Sequence, residues 1–243
     1  MRTSTLHLAH ALLLSLAFTA VPLAAQATQY SDISPDAPPP PPEGVPAWNP
    51  VPEGTLNFFT DRASFQSAFP GLPLEDFTEN NLPPNSVGTC TDTPVDATTN
   101  DVCFSPGDII AGIALDDITT PNNMVLLTPP FFGTTCEAVG PNTFADDGEI
   151  AFDPAIRAVG FDMQCNVAET IAIEVFGPGG SLGSTSVPCP VIPAQVFFGV
   201  ETVDPGGIVR LTTIAVGDGG ELFCDVEFGA EPVPVELQSF DVD

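Results

Sequence analysis

Asp and Glu are the residues of this chain that could act as catalysts or ligands, because other reactive side chains are scarce. The sequence has 32 Asp and Glu against 4 basic residues, all Arg, and its two histidines are His7 and His10. Both histidines lie in a predicted signal peptide, so the exported chain should contain neither His nor Lys. This removes the commonest general base and the Schiff-base nucleophile. We therefore predict that the protein is not an enzyme.

Glycoside hydrolysis is the catalytic alternative left open, because it needs only two carboxylates and water. The candidate acids are Asp116, Asp117, Asp146, Asp147, Glu149 and Asp153. They do not form the compact Glu-x-Asp-x-x-Glu pattern of the jelly-roll glycosidases. A cleft that holds two acids about 5 to 10 Å apart would favour this alternative.

Calcium binding is the chemistry that the acids suit best. Ca²⁺ takes six to eight oxygen ligands from carboxylates and carbonyls, which sandwich loops supply. The predicted ligands are Asp146, Asp147, Glu149, Glu75, Asp76 and Asp225. The first three surround a glycine turn, and the last three lie near the two ends of the domain, where a jelly roll would bring them together. Neither set has the spacing of an EF-hand or of a nonapeptide repeat, so solvated turn acids are the competing interpretation.

Carbohydrate binding meets a difficulty in the aromatic residues. Sugars stack best on Trp and Tyr, which combine an apolar face with a polar edge. The single Trp and the single Tyr are Trp48 and Tyr30, both outside the predicted domain, where the aromatic residues are all Phe. The spacing of these Phe residues favours burial in the core, so an exposed aromatic platform is not expected. Sugar recognition through calcium or hydrogen bonds stays open.

Six cysteines lie behind the predicted export signal, and an even number in that context predicts disulfides formed in an oxidising compartment. They are Cys90, Cys103, Cys136, Cys165, Cys189 and Cys224. We expect Cys90 to pair with Cys103 across a short loop, and Cys165 with Cys189 at one edge of an apparent meander. Cys136 is then left with Cys224. A zinc site is disfavoured, because the chain has no Cys-x-x-Cys spacing.

The two ends of the chain are predicted to lie outside the folded domain. Residues 1–27 have the positive start, short apolar run and Ala25-Gln26-Ala27 cleavage pattern of a signal peptide. Residues 28–54 are a proline-rich linker, and residues 231–243 are a loose tail or one edge strand. The apolar run is too short for a good membrane span, so we expect a secreted or periplasmic protein without one.

Residues 55–230 are predicted to form an all-β, jelly-roll-like antiparallel β-sandwich with one short N-terminal helix. The predicted strands are 56–59, 108–115, 124–127, 156–163, 170–176, 196–200, 208–216 and 221–228. Thr60 or Asp61 should cap a helix that ends at Phe69. Gly177-Pro178-Gly179-Gly180 and Asp218-Gly219-Gly220 are predicted turns, the second of hairpin type.

The order of several short motifs resembles secreted bacterial β-sandwich domains found in proteins with PEP-CTERM-type sorting signals. The motifs are FTDRASF (59–65), PGL (70–72), EDF (75–77), AVGFD (158–162), IEVFG (173–177), FFGV (197–200) and DVEFG (225–229). The resemblance implies a place at the cell surface or in the extracellular matrix. The C-terminal sorting motif, apolar span and basic cluster of those proteins are missing before Asp243, so release rather than anchoring is expected.

The formal net charge of −28 also limits the partners. Such a surface repels nucleic acid and anionic lipid and attracts cations. We therefore expect a secreted structural or adhesive protein, stabilised by calcium, whose partners are extracellular polysaccharide or surface proteins. A carbohydrate-binding module is the alternative, and a two-carboxylate glycosidase is the third interpretation.

Overall fold

Two antiparallel β-sheets face each other in the computed structural model, which describes residues 56–119, 123–217 and 219–229. The strands are numbered β1 to β14 in chain order. The larger sheet has the order β1-β12-β9-β14-β7-β6-β3, with β2 also paired to β14, and the smaller sheet has the order β11-β10-β13-β8-β5-β4. The predicted signal peptide, linker and C-terminal tail lie outside the described residues.

The larger sheet contains eight strands. They are β1 (Leu56–Phe59), β2 (Leu74–Glu75), β3 (Val87–Cys90), β6 (Met124–Leu127), β7 (Ala138–Pro141), β9 (Ala158–Cys165), β12 (Val196–Thr202) and β14 (Glu221–Gly229). The smaller sheet contains six. They are β4 (Val95–Asp96), β5 (Ile113–Asp117), β8 (Gly148–Ile156), β10 (Glu169–Gly177), β11 (Gly180–Cys189) and β13 (Ile208–Ala215).

The core lies between the two sheets, because alternate side chains of each strand point inward. Along β5 and β10 the burial alternates with a period of two residues. Buried residues of both sheets form one hydrophobic cluster, which includes Phe161 and Phe223 of the larger sheet and Leu115 and Ile150 of the smaller sheet. These contacts confirm the predicted all-β sandwich.

The predicted helix is α1 (Arg62–Ala68), and it begins where the Asp61 carboxylate accepts a hydrogen bond from the backbone N–H of Ser64 at 2.8 Å. Its buried face carries Phe65, which packs over Gly160 and Gly199. These glycines are opposite each other on β9 and β12. Gly160 belongs to the AVGFD motif and Gly199 to the FFGV motif. Both motifs therefore provide the surface on which Phe65 of the helix packs.

Adding one methyl group at Gly160 should therefore destabilise the domain. A Cβ atom there would lie 2.6 Å from the Phe197 ring and 3.0 Å from the Phe65 ring. We expect Gly160→Ala to lower the free energy of unfolding by about 1–3 kcal/mol, as overpacking of a core does. Urea unfolding measures it. Gly179→Ala is the control, because nothing lies within 4 Å of that position, and an equal loss in both variants would contradict the packing role.

One predicted turn and several strands differ from the sequence prediction. The turn at Gly219-Gly220 was predicted to close a hairpin, but β13 lies in the smaller sheet and β14 in the larger one, so the chain crosses between sheets there. The edge strand β11 was not predicted, because its Ser, Gly and Thr residues are largely exposed and give little hydrophobic alternation. The Gly177–Gly180 turn does close a hairpin, between β10 and β11.

Three disulfides join the cysteines in the pairs that the sequence suggested: Cys90–Cys103, Cys136–Cys224 and Cys165–Cys189. The reason expected for the last pair was wrong. Cys165 ends β9 in the larger sheet and Cys189 ends β11 in the smaller sheet, so this bond ties the two sheets together.

Candidate functional site

Three buried carboxylates gather around the first residue of β8, Gly148, and we call them the acidic cluster. Asp117 is the last residue of β5 and is opposite Gly148 in the sheet. Asp146 precedes Gly148 by two residues, and Glu221 at the start of β14 accepts a hydrogen bond from the Gly148 N–H at 3.1 Å. Asp117, Asp146 and Glu221 are 0, 7 and 1% exposed.

The hydrogen bonds of the cluster leave two carboxylate oxygens without a partner. Asp117 accepts backbone N–H groups from Thr119 at 2.8 Å and Asn123 at 3.3 Å. Oε1 of Glu221 accepts a second hydrogen bond, from the Thr213 hydroxyl at 2.8 Å. Oε2 of Glu221 and Oδ2 of Asp146 are buried and have no hydrogen-bond partner among the described residues. A buried polar atom left in this way costs free energy.

Burial dominates the electrostatics of the cluster. It raises the pKa of Glu221 to about 7, against the opposing hydrogen bonds from Thr213 and Gly148, and the charge of Asp147 adds to the rise. Burial also raises the pKa of Asp117, and the charges of Asp146 and Asp116 raise it further. The charge of Asp146 thus acts on Asp117, whereas the charge that acts on Glu221 is that of Asp147.

The described arginines all pair with acids elsewhere. Arg62 contacts Glu227 and Asp162, Arg157 contacts Glu201, and Arg210 contacts Glu149. Within the described part of the chain, no side-chain cation neutralises the acidic cluster.

The structure divides the first predicted set of calcium ligands. Asp146 and Asp147 lie at the cluster. Glu149 does not, because successive strand residues point to opposite faces and Gly148 points inward. Its carboxylate instead accepts a hydrogen bond from Arg210 at 2.9 Å. Glu149 stays a predicted ligand, but the structure places its carboxylate apart from the other two, with Arg210.

Asp117 and Glu221 were not among the predicted metal ligands, although Asp117 was a candidate for hydrolysis. Asp117 continues the inward series of Ile113 and Leu115, so the alternation of β5 could have shown that it is buried. Glu221 gives no comparable local signal, because it meets Gly148 and Thr213 through contacts between the sheets.

The second predicted set, Glu75, Asp76 and Asp225, does come together as β2 pairs with β14. Both Glu75 oxygens and one Asp76 oxygen already accept hydrogen bonds. The Glu75 oxygens accept the N–H groups of Phe77 and Ile110, both at 2.8 Å. Asp76 accepts the backbone N–H of its neighbour Thr78 at 3.0 Å.

The Arg62 side chain forms an ion-pair network beside Asp225. The Arg62 guanidinium donates to the Asp225 carbonyl at 2.8 Å, to Asp162 at 3.1 Å and to Glu227. It also lies 4.9 Å from the ring centre of Phe197. The metal ion predicted at Glu75, Asp76 and Asp225 stays a prediction, and the structure places the Arg62 ion-pair network beside these acids.

One set of three possible ligand atoms is close-packed in the described residues, and it lies outside the acidic cluster. In the residues that the structure describes, Cys90, Asp101 and Cys103 place one such atom each within 4.8 Å of the others. The two sulfur atoms form a disulfide, and Asp101 accepts N–H groups from Thr91, Asp92, Cys103 and Phe104. This set stabilises its loop and is not a metal site.

An apolar groove of 200 Å³ runs over the outer face of the larger sheet, and we call it the phenylalanine groove. Its aromatic walls are Phe131, Phe132 and Phe144. Its other lining residues are Val87, Val125, Leu127, Pro141, Asn142, Asn166, Ile192, Gly220, Glu221 and Leu222. A second, smaller core of Val125, Leu127, Ala138, Leu222 and Cys224 lies beneath it. This outer face is thus apolar, whereas a solvated sheet face is normally polar.

Two of the groove's aromatic rings, those of Phe132 and Phe144, are exposed to solvent. Phe132 belongs to a 3₁₀ turn, Phe131–Gly133, with a φ of 53°, which is uncommon for a residue with a side chain. It is 65% exposed, and Phe144 is 50% exposed. Gly220 lies against Phe144, where a Cβ atom would be 2.7 Å from the ring.

The expectation that the domain's phenylalanines would be buried was therefore wrong for Phe132 and Phe144. Both lie in loops, where the strand and helix spacing that predicts burial does not apply. Phe58, on β1, is also 43% exposed.

The chain was compared with known proteins. No protein-family model and no curated protein matches it. The solved structures that are similar include an adhesin domain and two carbohydrate-binding modules. The K2 cleaved adhesin domain of Lys-gingipain is 11% identical, with a TM-score of 0.36 over 60% of this chain and 100% of that one.

The other two are carbohydrate-binding modules. The CBM1 of BiXyn10A is 12% identical, with a TM-score of 0.28 over 40% of this chain and 74% of that one. A mutant of CBM29-2, from family 29, is 14% identical, with a TM-score of 0.28 over 44% of this chain and 76% of that one. Likeness this weak says nothing about what this chain binds.

Proposed function

We propose that this protein is an extracellular, non-catalytic adhesive module that binds an uncharged polysaccharide in the phenylalanine groove. The observation that carries the proposal is the pair of exposed rings, Phe132 and Phe144, beside side-chain amides of Asn142 and Asn166. The rings supply faces on which a sugar stacks, and the amides supply the donors and acceptors that Phe lacks.

The size and charge of the groove favour an uncharged sugar chain. At 200 Å³ the groove is smaller than the ~300–1,000 Å³ pockets that enclose drug-sized ligands, so it would hold about one ring of a longer polymer. The net charge of −28 disfavours an anionic polymer.

The groove offers little for catalysis. Among its described lining residues, Glu221 is the only acid, whereas glycoside hydrolysis needs two. The Glu221 carboxylate is also engaged with Thr213 and Gly148 beneath the surface.

The proposed location rests on the disulfides. Three disulfides and no free cysteine among the described residues are typical of proteins that fold in an oxidising compartment. In the described residues, no helix has the length and apolar character needed to cross a membrane. A role at the cell surface or in the matrix, for a protein released rather than anchored, is part of this proposal.

Removing either exposed ring should weaken sugar binding. We expect Phe132→Ala and Phe144→Ala each to reduce affinity about tenfold, because an aromatic contact contributes about 0.5–1.5 kcal/mol beyond its buried area. The measurement is calorimetric titration with soluble neutral polysaccharides, namely mannan, xylan and mixed-linkage β-glucan, after a pull-down screen that includes insoluble cellulose.

The matched control is Phe58→Ala, which removes another exposed phenylalanine on β1, away from the groove. Binding should be unchanged in this variant. Binding to none of the four polymers, or equal losses in all three variants, would contradict the proposal. Release of reducing sugar by the purified protein would contradict its non-catalytic part.

A further inference from the structure

Glu221 is a buried acid at the point where the chain passes from one sheet to the other. It is the first residue of β14 in the larger sheet and follows β13 of the smaller sheet. Its side chain is 1% exposed. It contacts two residues of the smaller sheet, Gly148 on β8 and Thr213 on β13. The carboxyl group therefore joins the two sheets by hydrogen bonds inside the protein.

The two carboxyl oxygens of Glu221 have different surroundings. Oε1 lies 2.8 Å from the Thr213 hydroxyl and accepts the Gly148 N–H at 3.1 Å, whereas Oε2 is buried without a hydrogen-bond partner among the described residues. The Thr213 hydroxyl also lies 3.3 Å from the Gly148 carbonyl oxygen. A protonated Oε1 can donate to Thr213 and leave the Thr213 hydrogen for that carbonyl. The neutral acid thus forms one hydrogen bond more than the ionised group.

The charged groups near Glu221 are acids. Asp147 precedes Gly148, and its charge acts on Glu221. Asp117 lies opposite the same glycine, and Asp146 comes two residues before it. The residues that pack on Glu221 from β7, β9 and β13 are uncharged, and they are Gly140, Cys165 and Thr213. The described arginines pair with other acids, so burial of an unpaired Glu221 carboxylate is costly and the neutral acid is favoured.

We propose that Glu221 is a pH-sensitive link between the two sheets, which is intact while its carboxyl group is neutral and weakens when that group ionises. Burial raises the pKa of Glu221 from the ordinary 4.5 to about 7, against the hydrogen bonds from Thr213 and Gly148. Between these values the folded domain holds a proton that the unfolded chain has released. The contribution to stability is therefore complete below about pH 4.5 and is lost as the pH rises through about 7. The link does not depend on what the phenylalanine groove binds.

The test is thermal unfolding of the full chain at about pH 5 and about pH 8, for the wild type and for Glu221→Gln, whose side chain stays neutral at both. The wild-type melting temperature should fall between the two by about 5–10 °C more than that of the variant. The comparison separates Glu221 from Glu75, Asp117 and Asp225, because burial raises the pKa of those acids too. An equal fall in both proteins would overturn the proposal.

Glu79→Gln is the matched control, because Glu79 is an exposed glutamate of the same domain, and this variant should keep the wild-type fall. A second measurement does not need a variant that folds. NMR titration of the wild type with isotope-labelled glutamate carboxyl groups should show a signal that titrates near pH 7, and this signal should be missing from Glu221→Gln. Absence of such a signal from the wild type, or the same loss of pH dependence in both variants, would contradict the assignment to Glu221.

Discussion

Replacing Cys136 and Cys224 together by alanine should lower the free energy of unfolding by about 4–5 kcal/mol, the largest effect that we expect. The bond closes a loop with a sequence separation of 88 residues, and the entropy that a disulfide removes from the unfolded chain grows with loop length. At ~2–4 °C per kcal/mol, the melting temperature should fall by roughly 8–20 °C.

The position of this disulfide adds a functional consequence. Cys224 belongs to the small core under the phenylalanine groove, and Cys136 packs against it. The bond thus anchors the chain segment that follows the 3₁₀ turn of Phe131 and Phe132. Without it, we expect polysaccharide binding to weaken as well as the fold.

The shorter disulfide provides the comparison. Cys90 and Cys103 are separated by 13 residues, and the corresponding double alanine variant should cost about 3 kcal/mol on the same reasoning. Calorimetric melting of both variants, with the remaining bonds verified by non-reducing peptide mapping, measures the difference. If removing the Cys90–Cys103 bond lowered the free energy of unfolding more than removing the Cys136–Cys224 bond, loop length would not determine the relative contributions of the two disulfides.

Arg62→Ala should lower the free energy of unfolding by about 3 kcal/mol, because it leaves a buried charge unpaired. Glu227 is 4% exposed and is paired with the Arg62 guanidinium, which also holds Asp162 and the Asp225 carbonyl. Removing one partner of a buried ion pair typically costs about 3–5 kcal/mol. Gln66 still donates to Glu227 at 2.8 Å, so we expect the lower end of that range.

Two variants test whether burial is the cause. In Arg210→Ala the lost partner is Glu149, but the Arg210 side chain is 43% exposed, so the cost should stay within about 1 kcal/mol for the ion pair itself. Adding Glu227→Gln to Arg62→Ala should restore part of the lost stability, because no charge is then stranded. Urea unfolding gives both values. Equal losses for the two arginine variants, with no recovery in the double variant, would point to lost packing instead.

Local patterns were enough to predict the fold class from the sequence. Alternating apolar residues such as those of β10 predict strands, because each strand buries one face. Asp61 predicts the start of α1, because its carboxylate satisfies an N–H of the first turn. Both signals lie within a few residues of chain, and the structure follows them.

The composition of the candidate sites was decided by contacts that are distant in sequence. Alternation shows that Gly148 and Glu149 face opposite ways, but it does not show which faces inward, and the packing of Gly148 against Thr213 and Phe223 settles that. Glu221 reaches Gly148 only because the chain crosses between sheets after β13.

The sequence by itself determined the chemistry available to this protein: many carboxylates, few arginines and paired cysteines. The tertiary structure alone decided which acids are neutralised by Arg62, which are left buried around Gly148, and which phenylalanines face solvent. The physical reason is that residue types and short-range periodicity are written along the chain, whereas burial and charge pairing depend on which strands become neighbours.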